Sequence, residues 1–181
     1  ILRRILIVID MQHDFIDGAL GTEQAMQIVP NVLQKIQEYA PENRIATRDT
    51  HGPDYLQTSE GQHLPVPHCI RGTKGWEIVP EISAALGDTR ILDKPSFGSP
   101  ALAHVLAEEN KKEPLELELV GLCTDICVVS NALLLKAALP ETRILVDASC
   151  CAGVTPDTHQ AALTTMKMCQ IEICGLDNGK D

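Results

Sequence analysis

The sequence predicts an α/β fold built on a mostly parallel sheet, and three observations carry that expectation. Strand-like and helix-like segments alternate along the chain, the pattern of repeated βα units with helices on both sheet faces. The first strand-like segment is a continuous apolar run, as suits a strand covered on both sides. At 181 residues the chain is long enough for one full hydrophobic core, and residues 1–181 read as a single domain.

Taken in order, Arg4 to Ile9 is the apolar strand, and it ends at Asp10. Val29 to Tyr39 is amphipathic, with Val29, Leu33, Ile36 and Ala40 on one face and Pro30 expected in the first helical turn. Asn43 to Thr47 is a short strand running out at Arg48-Asp49. Residues 50–79 hold most of the His, Gly and Pro signals without clear periodicity and read as a long functional loop region. Pro80 to Leu86 is a short helix, and Thr89 to Leu92 a strand ending at Asp93-Lys94. Pro95 keeps Lys94 extended. Ser99-Pro100 starts a helix to about Asn110, with Leu102, Val105 and Leu106 inward. Leu115 to Val120 is a strand, yet its Leu-Glu-Leu-Glu-Leu alternation suits a half-exposed one. The apolar stretch Ile126 to Leu139 reads as a helix with Thr124 as its N-cap. Arg143–Val146 is the next strand, Thr155-Pro156-Asp157 opens the last helix, and Ile171–Cys174 is the final strand.

Bulk composition excludes several functions. A net charge of −10 with no basic stripe argues against a nucleic-acid partner. No segment approaches the roughly 20 apolar residues that cross a bilayer. Ile1 to Ile9 lacks a cleavage-site pattern, so no signal peptide is expected there. Seven cysteines, none spaced as CxxC, are expected to be reduced: Cys69, Cys150, Cys151, Cys169 and Cys174 as core or near-core residues. A reducing cytoplasm follows from that expectation.

Ligands of open parallel sheets bind at the carboxyl ends of the strands. Asp10, Lys94 and Cys127 all fall at or just past such ends, so one sheet edge would gather a carboxylate, an ammonium and a thiol. Cys127 would be the nucleophile, with Asp10 accepting its proton and later protonating a leaving amine. Lys94 and the helix N-terminus would favour the thiolate. The backbone N–H groups of Cys123 and Cys127 could stabilise an oxyanion. A second constellation is Asp49-Thr50-His51 followed by Glu60, His63 and His68. A carboxylate with two imidazoles suits a divalent zinc, iron or manganese, and His51 and His68 are the stronger His candidates. His63 is expected to face solvent, His13 and His159 to lie on the surface, and His104 on an exposed helix face.

These residues together resemble a known family, the isochorismatase-like cysteine hydrolases, and within it the nicotinamidases. The matching pieces are Ile9-Asp10-Met11-Gln12-His13-Asp14-Phe15, Thr47-Arg48-Asp49-Thr50-His51, Pro67 to Glu77, Lys94-Pro95-Ser96-Phe97, and Gly121 to Val128. They occur in the family's order and span most of the chain. The resemblance implies a three-layer α/β/α sandwich around a six-stranded sheet, the triad Asp10, Lys94 and Cys127, and a cis peptide between Leu122 and Cys123. It implies one divalent metal ion, zinc first and iron or manganese as alternatives, on Asp49, His51 and His68, with Glu60 as the carboxylate some members add. Phe15 resembles the aromatic residue that stacks on the substrate ring, and Phe97 would form a second wall. The family often forms homo-oligomers. Pro65 stands where many nicotinamidases have an aromatic residue, Asp17-Gly18 where Gly-Gly is usual, and Pro53 to Gln57 lacks a further histidine. These departures bear on the substrate more than on the chemistry.

The expected activity is hydrolysis of a small amide, nicotinamide first, to an acid and ammonia through a thioester. The alternatives are another small amide or carbamoyl compound, or a vinyl ether. Vinyl-ether chemistry does not need the metal set. A non-catalytic flavodoxin-like or dinucleotide module would want a Ser/Thr-rich phosphate loop or Gly-x-Gly-x-x-Gly after the first strand, and Asp10 to Phe15 offers neither.

Overall fold

The computed structural model describes residues 1–176. In chain order the elements are β1 (Arg3–Ile9), α1 (His13–Ile16), α2 (Glu23–Gln37), β2 (Arg44–Asp49), α3 (Ser59–His63), α4 (Pro80–Leu86), β3 (Arg90–Lys94), α5 (Pro100–Lys112), β4 (Leu115–Leu122), α6 (Val129–Ala138), β5 (Arg143–Ala152), α7 (Pro156–Met168) and β6 (Glu172–Cys174). The six strands form one sheet in the order β3-β2-β1-β4-β5-β6, and every pairing is parallel. The period-2 alternation of strand side chains sorts the core into two layers. Ile5, Ile7 and Ile9 of β1 face α5, α6 and α7 through Leu102, Leu106, Leu135 and Met166. Leu6 and Val8 face the other way, onto Ile28, Val32 and Ile36 of α2 and Ile82 of α4. The three-layer sandwich is therefore as expected. Among the described residues no helix is long and apolar enough to cross a membrane.

Several local expectations are corrected. Pro30 lies inside α2, which starts seven residues earlier behind the N-cap Thr22, whose side chain accepts the Ala25 N–H. The helix tolerates Pro30 because it sits on the exposed face. β5 continues to Ala152 because Cys150, Cys151 and Ala152 are buried rather than part of a turn. The 50–79 segment contains α3 and short 3₁₀ turns. All seven cysteines are free thiols, but Cys169 is exposed, since it follows the last turn of α7 instead of joining the core.

The alternating glutamates of β4 are not exposed. β4 lies between β1 and β5, and all of its residues are buried. Charge from neighbouring elements follows the carboxylates inward. Glu116 receives Arg4 at 2.8 Å and Arg143 at 2.7 Å. Glu118 receives Lys35 of α2 at 3.1 Å and the Tyr39 hydroxyl. Lys35 also reaches Asp147 at 3.1 Å. The Lys35 pairs are largely buried on both sides and are conditional: loss of Lys35 would strand buried carboxylates at a cost of about 3–5 kcal/mol, whereas Arg4 and Arg143 reach Glu116 from half-exposed positions.

One glycine sets how closely β1 and β4 approach beneath the site. Gly121 has φ +118°, and a Cβ there would lie 2.1 Å from the Ile9 carbonyl oxygen. Both the backbone conformation and the space exclude a side chain. Gly121→Ala is expected to destabilise the fold by several kcal/mol, on the order of 3, in urea denaturation; an unchanged midpoint would contradict this reading.

Candidate active site

Parallel pairing brings the strand ends to one edge. Asp49 and Lys94 are the last residues of β2 and β3 and pair in register. Asp10 follows β1 directly, in the left-handed region at φ +51°. That conformation, which costs an L-residue about 1–2 kcal/mol, turns the carboxylate into the interior. Cys127 lies beyond β4, on a turn that starts after the cis peptide Leu122–Cys123.

The three predicted reactive residues meet. Lys94 Nζ lies 2.7 Å from Asp10 Oδ2 and 3.2 Å from Cys127 Sγ. It also donates to the Ser96 carbonyl at 3.1 Å and lies 3.5 Å from Asp49 Oδ1. Thr47 donates its hydroxyl to Asp10 Oδ1 at 2.7 Å. Asp10, Lys94 and Cys127 are all buried. Asp10 Oδ2 has the Lys94 ammonium as its close partner.

Electrostatics alter one expectation. Burial, reinforced by the Asp10 charge, pushes the Cys127 thiol well above its ordinary pKa, and Lys94 offsets only part of this. That direction favours the thiol over the thiolate. Burial likewise raises Asp10 despite the Lys94 charge, which makes it a stronger base than an exposed carboxylate. Lys94 is itself held charged: burial opposes this, but the Asp10 and Asp49 carboxylates outweigh it. The helix-terminus argument also changes. Residues Thr124–Val128 form a π-type turn in which Val128 N donates to the Cys123 carbonyl at 3.0 Å, and α6 starts only at Val129. Thr124 does not cap it; its hydroxyl turns to His159 Nδ1 at 2.6 Å. His159 is accordingly half-buried.

Beside the triad, Asp49, His51, Glu60 and His68 place one donor atom each within 4.8 Å of one another. His51 Nε2 lies 2.9 Å from Asp49 Oδ2 and 3.5 Å from Glu60 Oε1. His68 Nε2 lies 3.6 Å from Asp49 Oδ2 and 3.5 Å from Glu60 Oε1. Tetrahedral donors around an ion at 2.0–2.1 Å stand about 3.3 Å apart, so the set has the right size. His68 Nδ1 is engaged by the Val66 carbonyl at 2.8 Å, which leaves the Nε2 lone pair facing the cluster. Burial opposes a charged Asp49, but His51, Lys94 and His68 hold its pKa below the usual carboxylate range. Two carboxylates and two imidazoles in this arrangement fit a divalent metal ion. His63, in contrast, is exposed and bonded to the Ser59 carbonyl.

Long-range bonds join these segments. His51 N donates to the Cys69 carbonyl and Arg71 N to the His51 carbonyl, both at 2.9 Å, which docks His68 beside His51. Asp14 accepts the Cys69 N–H at 2.7 Å. The buried Gln12 side chain binds both backbone groups of Asp49 and the Trp76 carbonyl, each at 2.8 Å. Asn131 on α6 donates to the Cys127 and Phe97 carbonyls at 2.8 and 3.0 Å and accepts the Ser99 N–H at 2.8 Å. Gln12 and Asn131 were not among the expected site residues. The signal for Gln12 was its place two residues past a strand-end aspartate; Asn131 is a polar residue within an apolar helix.

A cavity of about 520 Å³ opens over Cys127 and is also lined by Cys123, Asp49, Glu60 and His68. Its walls are Phe15, Leu20, Leu64, Phe97 and Ile126. Phe15 is buried and stands 5.6 Å from the His68 ring, whereas Phe97 is 44% exposed at the rim.

Comparison with known proteins agrees with this architecture. The chain is 27% identical over 186 residues to the nicotinamidase/pyrazinamidase of Mycobacterium tuberculosis, covering 94% of this chain and 97% of that protein. The crystal structure of a nicotinamidase from Bacillus subtilis matches with a TM-score of 0.81 at 26% identity, over 95% of this chain and 99% of that one. The pyrazinamidase of Pyrococcus horikoshii, crystallised in complex with zinc, matches with a TM-score of 0.78 at 25% identity, over 96% and 99% of the two chains. Residues 4–177 match the isochorismatase domain model, and the chain belongs to that family.

Proposed function

We propose that this protein is a cysteine-dependent amidohydrolase that converts nicotinamide to nicotinate and ammonia. The observation that carries the reading is one cavity lined by Cys127, which Lys94 and Asp10 back from beneath, and by Asp49, Glu60 and His68 of the four-residue donor set. The nicotinamidase relatives support the substrate. Asp10 takes the thiol proton as Cys127 Sγ attacks the carboxamide carbon, and Lys94 steadies both anions. The N–H groups of Cys123 and Cys127 receive the developing oxyanion. Asp10 returns the proton to the departing amine, so ammonia leaves and a thioester remains on Cys127. Water, deprotonated by Asp10, then attacks the thioester; the acid departs and the thiol is restored. A zinc ion on Asp49, His51, Glu60 and His68 would supply a Lewis-acid contact for the pyridine nitrogen, and Phe15 and Phe97 flank the ring. We assign the protein to the reducing cytoplasm, consistent with seven free thiols, and expect a homo-oligomer.

The test is ammonia release across nicotinamide, pyrazinamide and carbamoyl compounds, with nicotinamide expected to give the highest kcat/KM. Turnover confined to carbamoyl compounds would redirect the assignment. Asp10→Asn, which keeps the shape but not the base, is expected to lower kcat by about 10²–10⁴-fold. A near-normal kcat in that variant removes Asp10 from the proton path.

A further inference from the structure

The nucleophile turn is gripped from the α7 side. Thr124, its first residue, is fully buried, and no side chain caps the turn. Among the described residues, the Thr124 hydroxyl has a single hydrogen-bond partner, His159 Nδ1 at 2.6 Å. One residue further on, the Asp125 carboxylate accepts the Val154 N–H at 3.1 Å. Gly153 permits this close fit, because a Cβ there would stand 2.8 Å from the His159 backbone nitrogen and Cβ. The connection from β5 to α7 is thus moulded onto the turn through polar contacts.

These contacts bear on the reacting atoms. Cys123, which immediately precedes Thr124, and Cys127, which lies in the π-type turn that Thr124 opens, carry the N–H groups proposed to face the oxyanion. Such a turn is wider than an α-helix, and its N–H directions depend on what pins its first residue. Burial lowers the His159 pKa and keeps the imidazole neutral, so its Nδ1 and the hydroxyl of Thr124 can settle into one donor–acceptor pairing. Space-filling alone would be met by an apolar residue of similar size.

We infer that His159 is a positioning residue: through Thr124 it fixes the Cys123–Cys127 backbone where the oxyanion forms. This rests on the cysteine-hydrolase reading of Cys127. The test compares His159→Leu, His159→Asn and Thr124→Val in two assays with Cys127→Ala as the blank. One assay is ammonia release from nicotinamide. The other is acylation by p-nitrophenyl acetate, in which Cys127 sulfur bonds the acetyl carbon, p-nitrophenolate leaves and the thiol proton is released. In His159→Leu, kcat and the acylation rate are expected to fall by about 10-fold or more with KM within about 2-fold. His159→Asn should recover most of the rate, since its amide can replace Nδ1. The double variant Thr124→Val/His159→Leu should be no slower than the slower single one. A wild-type protein that is acylated at Cys127 but releases no ammonia would refute the nicotinamide substrate, and acylation would then judge His159 alone. Unchanged rates in His159→Leu, failure of Asn to rescue, or multiplicative losses in the double variant would overturn the inference.

Discussion

Cys127→Ala is expected to abolish ammonia release from nicotinamide, lowering kcat by at least about 10³-fold, while the chain stays folded. Cys123 lines the same cavity, but among the described residues only Cys127 has the Lys94 ammonium, itself paired with Asp10, against its sulfur. The fold should survive because alanine removes only a sulfur atom. Asn131 still binds the residue-127 carbonyl, and Lys94 keeps Asp10 as its partner. Steady-state ammonia release with circular dichroism on the same sample decides the matter. Persisting turnover in a folded variant would exclude Cys127 as nucleophile.

The second large effect is expected at the metal set. His51→Ala removes one of four donors and also the 2.9 Å contact to Asp49. Affinity for the proposed divalent ion should fall by at least about 10²-fold, beyond what loss of an outer partner costs. Metal analysis should find about one ion per chain in the wild type and far less in the variant, and KM for nicotinamide should rise. If metal content and KM both stay unchanged, these four residues do not form the site. His63→Ala is the internal control: its ring lies at the cavity rim, bonded to Ser59 and outside the donor cluster, so metal content should not change.

Much of this site is readable along the chain. The pieces that matter are short and local: an apolar strand followed by a reactive residue, as at Asp10, or an Asp-Thr-His triplet leaving a strand. In a parallel sheet, strand direction alone sends such residues to one edge. The features that escaped prediction depend on distant neighbours. Glu116 and Glu118 resemble an exposed face until Lys35, Arg4 and Arg143 are placed around them. The π-type turn at Thr124–Val128 has no compositional mark that separates it from a first helical turn. Gln12, Asn131 and His159 act through bonds to residues far away in sequence.

By itself the sequence determined the alternation of strands and helices, the apolar faces and which acidic, basic and thiol side chains follow the strand ends. Hydrophobic periodicity and side-chain chemistry are local properties. Only the tertiary structure decided the burial of Cys127, the convergence of Glu60 with His51 and His68, and the shape of the turn that carries the thiol. Each of these depends on burial and on distances set by strand order and loop docking, and a pKa or a ligand geometry changes with an ångström that no local pattern encodes.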